Sequence, residues 1–376
     1  MALSSMYTKF AGRVGSRFPI LSYVFTQIAF WIIAYLFLAL LTHFILLTAG
    51  PLLKANISLK ANIIIALFFG FFNGATSGFT DQIFERPFFY KRALVIVIIS
   101  KAIIAFIIFV VLISVVRYSL YPYVQGRFFN DLNTSSPEKS WEHFFQLLLI
   151  YNIVAGLVIN FINQINKKYG PGVLVPILLG KYKNPKEENR IFLFMDLKSS
   201  TLIAETLGHL KYSAFIRDSI MDINAVVATY HAQIYQYVGD EIVTTWTVEK
   251  GKLPIYCIQF FFACEAKFKS RSSYYLKQYG QSPQFKAGLH MGKVTAVEVG
   301  EIKRDIAYHG DTLNTTARIQ SICNENNKYF LMSGFVLENS DVEKYYNTES
   351  LGMMVLKGKK QAIEIISIEG ERFQSK

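Results

Sequence analysis

From Phe18 to Leu53 the chain carries no Asp, Glu, Lys or Arg, and three further apolar blocks follow before residue 167. A helix that crosses a bilayer needs roughly 20 mainly apolar residues. Four segments meet that length, at about 20–46, 61–80, 93–116 and 144–166. The first is too long, starts too far from Met1 and lacks a small-residue cleavage site, so it reads as a span and not a cleaved signal peptide. The second contains "GFFNGATSGFT", a composition that fits either a helix packed closely against a neighbour or a re-entrant segment. Residues 1–17 are then an N-terminal tail and 18–166 a transmembrane domain. The stretch 167–189 is a linker, because Gly170, Pro171 and Pro176 interrupt any helix there and "KYKNPKEENR" is polar. Beyond it the pattern changes to short runs with strand and helix periods. Strand 190–196 is followed by a helix at about 199–230 with a break at Gly208, strands 232–238 and 241–247, and a helix at 252–279. Strands 285–299 and 302–308, a helix at 311–325, strand 329–333, a short helix and strands 350–356 and 362–369 complete the chain. The order β-α-β-β-α-β predicts an α+β, ferredoxin-like unit over 190–376 with additions at its end.

Charge sharpens this division. The formal net charge is +12, yet nearly all of the basic excess falls before residue 190. The second half is close to neutral, which removes the usual case for nucleic-acid binding at a pI of 9.3. Lys9, Arg13 and Arg17 precede the first span, Arg86, Lys91 and Arg92 separate the second and third, and Lys167, Lys168, Lys181 and Lys183 follow the fourth. With four spans these clusters share one side, and the positive-inside rule makes that side cytoplasmic, together with the N-terminus and the second half. Lys101 falls inside the third span, near enough to its end to snorkel. The odd number of cysteines, Cys257, Cys264 and Cys323, without CxxC spacing, reads as free thiols in a reducing compartment.

The candidate chemistry begins at "IFLFMDLKSST" (191–201), where an apolar strand ends on Asp196. A single Asp there is an ordinary helix cap. In "YQYVGDEIV", however, Asp240 occupies the tight turn of the central hairpin, which the expected topology sets beside the end of the first strand. Two converging carboxylates repel unless a cation lies between them, and a hard divalent ion takes carboxylate oxygens and substrate phosphates together. Lys198, Ser199, Ser200 and Thr201 then present backbone N–H groups at a helix start, a favourable place for phosphate. In "HGDTLNTTARIQ" Asn314 and Arg318 lie four apart on one helix face, a pair able to hold a sugar and to stabilise phosphoryl charge. "LKGKK" puts Lys357 at a strand ending.

The motifs "FMDLKSST", "YVGDEIV", "GLHMGKV", "HGDTLNTTAR" and "LKGKK", in this order and spacing, resemble the class III adenylate/guanylate cyclase catalytic domain. The resemblance spans 190–376. It implies two Mg²⁺ or Mn²⁺ ions per active site, with Asp196 and Asp240 as the metal aspartates and Leu197 beside them. It also implies that Asn314 orients the ribose, that Arg318 stabilises the transition state and that Lys357 contacts the triphosphate. It further implies a homodimer in which the metal acids come from one protomer and the Asn, Arg and Lys from the other. At the family's base-selecting positions this chain has Gln236 and Ala307, with Asp305 on the same strand face as Ala307. Gln236 can donate and accept, which suits an adenine edge. The expectation is therefore a plasma-membrane, multi-pass adenylate cyclase converting ATP to cyclic AMP and pyrophosphate. The alternatives are a guanylate cyclase acting on GTP, or a degenerate cyclase-like module that binds nucleotide or dimerises. A diguanylate cyclase fits poorly, because Val238 precedes "GDE" and that family has no use for the Asn314/Arg318 helix.

Overall fold

The computed structural model describes residues 19–53, 59–84, 94–120, 137–169, 180–248, 253–301, 304–338 and 340–371. The chain divides into two compact units, Met1–Lys168 and Tyr169–Lys376.

The first unit contains α1 (Pro19–Leu53), α2 (Leu59–Phe84), α3 (Leu94–Val115), continued by a π-helical turn at Val116–Leu120, and α4 (Pro137–Tyr169). Each carries a stretch long and apolar enough to cross a membrane: Tyr23–Ile45, Asn62–Phe84, Ile99–Ser119 and Phe145–Asn166. The Gly-rich segment is not re-entrant, since α2 is one continuous helix of 26 residues. Its glycines serve close packing instead: a Cβ on Gly74 would stand 2.3 Å from Ile28 Cα, and one on Gly70 2.6 Å from Ile32 Cα. Polar side chains tie the helices together. Gln27 and Asn163 exchange amide hydrogen bonds of 3.0 and 3.2 Å, and the Tyr35 hydroxyl accepts from Asn73 and Asn152. Lys101 does more than reach for solvent. Its Nζ lies 2.6 Å from Asp81 Oδ1, and Tyr23 donates to the other oxygen of that carboxylate at 2.7 Å. The clusters Lys9/Arg13/Arg17 and Arg86/Lys91/Arg92 lie outside the described residues.

The second unit follows the expected order: β1 (Lys186–Leu197), α5 (Ser200–Val227), β2 (Gln233–Val238), β3 (Glu241–Thr247), α6 (Leu253–Ser270), α7 (Ser272–Tyr279), β4 (Phe285–Val299) and β5 (Asp305–His309). It continues with α8 (Asp311–Ser321), β6 (Phe330–Ser333), α9 (Gly334–Glu338), β7 (Tyr346–Met354) and β8 (Ile363–Glu371). β1 starts at Lys186, ahead of the expected residue 190. The break in α5 falls at Gly208, whose φ of 70° interrupts the helix. The sheet order is β2-β3-β1-β4-β6-β8-β7, with β5 on β4. Its first four strands are all antiparallel, the ferredoxin-like arrangement. Alternation along β1 divides the interior. Ile191, Leu193, Met195 and Leu197 join the main core under α5 and α6. Phe192 and Phe194 point to the opposite face, where Val243, Val294, Tyr235 and Tyr308 meet Leu313 and Ala317 of α8. Asp196 is next in that second series, so the strand period itself sends its carboxylate toward α8. All three cysteines are buried and free.

Candidate active site

Asp196 emerges from β1 between two antiparallel neighbours. On one side its register partner is Lys286 of β4. On the other, the β1–β3 pairing ends at Met195↔Ile242, which sets Glu241 and the Gly239–Asp240 turn beside it. Gly239 has φ 63°, a conformation glycine adopts without strain, and the turn delivers Asp240 to the same edge. Three carboxylates thus gather at this edge, and Lys286 Nζ lies 3.1 Å from one of them, at Asp196 Oδ2. The electrostatics record the crowding. Burial, with the neighbouring charges of Asp196 and Asp240, lifts the Glu241 carboxyl to about 7. Burial and Asp240 also push Asp196 upward, against the pull of Lys286. Asp240 Oδ2 is buried with no hydrogen-bond partner.

A buried, unpartnered carboxylate oxygen in an anionic cluster fits a cation. Among the described residues no set of three or more His, Cys, Asp or Glu forms a metal site by itself. Carboxylate oxygens are the donors that a hard divalent cation takes. The Leu197 side chain belongs to the apolar core, so only its main-chain carbonyl is a possible ligand.

Asp196 is not a helix cap. That position is Ser199, left-handed at φ 57° and making no side-chain cap, so side-chain capping leaves the first-turn N–H groups of Ser200 and Thr201 free for an anion. Lys198 turns elsewhere, donating to the Tyr329 hydroxyl at 2.8 Å and lying over its ring.

The other predicted residues form a separate group. Asn314 is exposed and Arg318 partly so. Lys357 lies past the end of β7, in the turn to β8, and not on a strand ending. That turn packs on Arg318: a Cβ at Gly358 would stand 3.2 Å from the guanidinium. Lys359 pairs with Asp311 at the start of α8. Gln320, on the inward side of the same helix, donates to Asp196 Oδ2 at 3.2 Å. At about 100° per residue, Gln320 lies some 200° around α8 from Arg318. The Asn314/Arg318 face therefore does not address the carboxylates of its own chain. Lys286, Glu241 and Gln320 escape a sequence reading; the β1–β4 register is what singles out Lys286.

Gln236 is exposed on β2 opposite Val243, and Ala307 pairs with Val297. Asp305 opens β5 and accepts from the Ile306 N–H at 2.9 Å, so it is occupied locally. A buried charge network holds these two strands. Arg190 contacts Glu188 Oε2 at 3.0 Å, donates to Gln233 of β2 at 3.1 Å and lies 4.4 Å over the Tyr308 ring of β5. Lys181 completes it, 2.8 Å from Glu188. Burial raises the Glu188 carboxyl, but Lys181 and Arg190 outweigh it, and the net shift is downward. The pair therefore contributes at neutral pH, and its contribution fades as pH falls through and below the usual carboxylate range. Glu188→Gln strands a buried guanidinium and is expected to cost about 3 kcal/mol. Urea denaturation at pH 7.5 and pH 4 checks this, the deficit shrinking at the lower pH.

A family model described as the adenylate and guanylate cyclase catalytic domain matches residues 182–369. A curated protein of Rhizobium meliloti (strain 1021), named Adenylate cyclase 2, is 32% identical over 221 residues, covering 59% of this chain and 61% of the relative. The chain thus spans about 61% of that relative's length. Among solved structures, the adenylyl cyclase CyaB from P. aeruginosa is 16% identical with a TM-score of 0.46, covering 50% of this chain and 98% of that one. The guanylate cyclase domain of RhGC from Catenaria anguillulae, in complex with GTP, is 18% identical with a TM-score of 0.43, covering 50% and 100%.

Proposed function

From the premise that the chain belongs to the adenylate and guanylate cyclase catalytic-domain family, we propose that it is a membrane-anchored adenylate cyclase. It converts ATP to 3′,5′-cyclic AMP and pyrophosphate at sites shared by two copies of the chain. The observation that carries this reading is the pairing of an anionic pocket, with its orphaned Asp240 oxygen, and a separate Asn314/Arg318/Lys357 face on the far side of α8. Each protomer holds two complementary halves, and a second copy brings unlike halves together.

The reaction forms a bond from the ribose 3′-oxygen to the α-phosphorus, breaks the bond from that phosphorus to the bridging oxygen, and releases the 3′-hydroxyl proton. Asp196 and Asp240 would hold the divalent cations, with Leu197 offering a main-chain carbonyl. Bound there, a divalent ion would supply Lewis acidity toward the 3′-hydroxyl and charge neutralisation toward the departing pyrophosphate. Asn314 orients the ribose, Arg318 stabilises charge at the phosphorus, and Lys357 with the Ser200–Thr201 amides receives the phosphates. Positioning and charge stabilisation provide most of the rate. Gln236 reads the base, and Ala307 offers shape alone. Support for ATP comes from the donor and acceptor on Gln236 and from the relative's name. The four apolar helices anchor the protein in the plasma membrane, and the basic segments 167–183 and those near the N-terminus put the catalytic unit in the cytoplasm.

Full-length protein in membranes, given ATP or GTP with Mn²⁺, is expected to yield cyclic AMP and pyrophosphate from ATP. Cyclic GMP as the sole product overturns the choice of base, and no product from either nucleotide overturns the catalytic reading.

A further inference from the structure

A buried amide links the carboxylate pocket to α8. Gln320 is 6% exposed, and its Nε2 donates to the Asp196 oxygen that also receives Lys286. α8 also meets β4 directly, at both of its ends. Near its C-terminal end, a Cβ on Gly288 of β4 would lie 2.4 Å from the Gln320 main-chain nitrogen. At its start, Thr312 donates to the Lys293 carbonyl at 2.8 Å and sits against Gly292. The helix is seated on β4 at both ends, and the face pointing away bears Asn314 and Arg318.

We propose that Gln320 is a positioning residue that couples the two active sites of the homodimer. It orients the Asp196 carboxylate, which serves one site, and it belongs to the helix whose outer face serves the other. Asp196 Oδ2 already receives both Lys286 and Gln320, so a cation bound there would compete with Lys286 and shift the oxygen that Gln320 holds. The resulting change in the seating of α8 alters the grip of Asn314 and Arg318 on the nucleotide across the interface. Coupling of this kind is reciprocal, so nucleotide in one site changes cation affinity in the other. The inference rests on the dimeric cyclase reading above.

The test uses full-length protein in detergent, Mn²⁺ as the probe cation, and 3′-deoxy-ATP, which cannot cyclise. Calorimetry reads the nucleotide isotherm, and the paramagnetic resonance signal of free Mn²⁺ reads cation binding. Wild type is expected to give a Hill coefficient different from 1. Gln320→Met, which keeps the volume but cannot donate, should give a coefficient of 1. Loss of an outer-shell partner should also weaken Mn²⁺ by roughly tenfold, with the melting temperature in chelator little changed. Gln320→Glu, which keeps the reach but places a carboxylate against Asp196, should lose the coupling too, and it stands in if the Met variant fails to fold. A variant matching wild type in both Hill coefficient and Mn²⁺ midpoint overturns the inference, as does a wild-type coefficient of 1. Wild type that is dimeric and produces cyclic nucleotide while those results hold leaves the cyclase reading intact and sinks the coupling alone. Wild type that is monomeric or makes no cyclic nucleotide overturns both.

Discussion

Asp240→Asn is expected to abolish cyclic nucleotide formation while raising the melting temperature of the metal-free protein. On the proposed mechanism the loss follows from removing a carboxylate ligand of the cation, and with it charge stabilisation worth at least about 10²–10³ in kcat. The gain follows from the cluster itself. Asp240 Oδ2 is buried without a partner, and its charge raises the Asp196 and Glu241 carboxyls. An amide of the same shape removes one of the repelling charges and can donate to a neighbour. The pH dependence should change as well. A carboxyl lifted to about 7 in the folded state holds a proton that the unfolded chain has already lost above its ordinary value of 4.5. Its contribution to stability is therefore present below about 4.5 and declines as pH rises to about 7. In the variant that window narrows from above. Melting curves in chelator from pH 5 to 8, run beside product assays, decide it. A variant that is both active and less stable without metal would show that Asp240 is a structural partner and not a cation ligand.

Gly288→Ala is expected to cost at least tenfold in kcat and to lower the melting temperature, although residue 288 touches no reacting group. The added methyl would lie 2.4 Å from the Gln320 nitrogen and 2.8 Å from its Cα. Both are backbone atoms that cannot rotate away, so α8 must lift from the sheet. Overpacking of this kind costs about 1–3 kcal/mol, and a shift near 1 Å of a helix bearing Asn314 and Arg318 can cost on the order of 10² in rate. Gly292→Ala is the control. Its nearest atom is the Thr312 hydroxyl oxygen at 2.6 Å, a side-chain atom that can turn only by giving up its bond to the Lys293 carbonyl, whereas at Gly288 the main chain itself must move, and the loss should be smaller. Equal effects would mean that the seat of α8 is softer than the Gly288 contact indicates.

Most of the second unit can be read directly from its sequence, for a physical reason. The strand Phe285–Val299 is bounded by Pro283 and Gly300, and Gly208 marks its own break in α5. Asp196 and Asp240 are legible because each closes a short motif at a strand end. Residues that act through register are not. Lys286 looks like a solvated residue of an amphipathic strand until β4 is aligned with β1, and Gln320 looks like one more polar position on a helix. Asp81 is hidden differently. It falls one residue past the apolar window 61–80, so hydropathy shows Lys101 without its counter-ion. Lys357 is assigned to a strand because "MMVL" is apolar, yet the strand ends at Met354, and Gly358, at φ 73°, shapes the turn.

The two faces of α8 also carry a genetic consequence. A chain with Asp240→Asn lacks a working pocket but keeps an intact outer face, and a chain with Arg318→Ala has the reverse defect. On the proposed dimeric reading, each allele expressed separately should be null. Expressed together, they should assemble mixed dimers in which one site is wholly wild type, with activity at a fraction of normal. Two alleles damaged on the same face have no such remedy. Complementation among pairs of dead alleles should therefore sort residues by the face they serve, and Gln320, which touches the pocket from the helix that bears the outer face, should complement neither class fully.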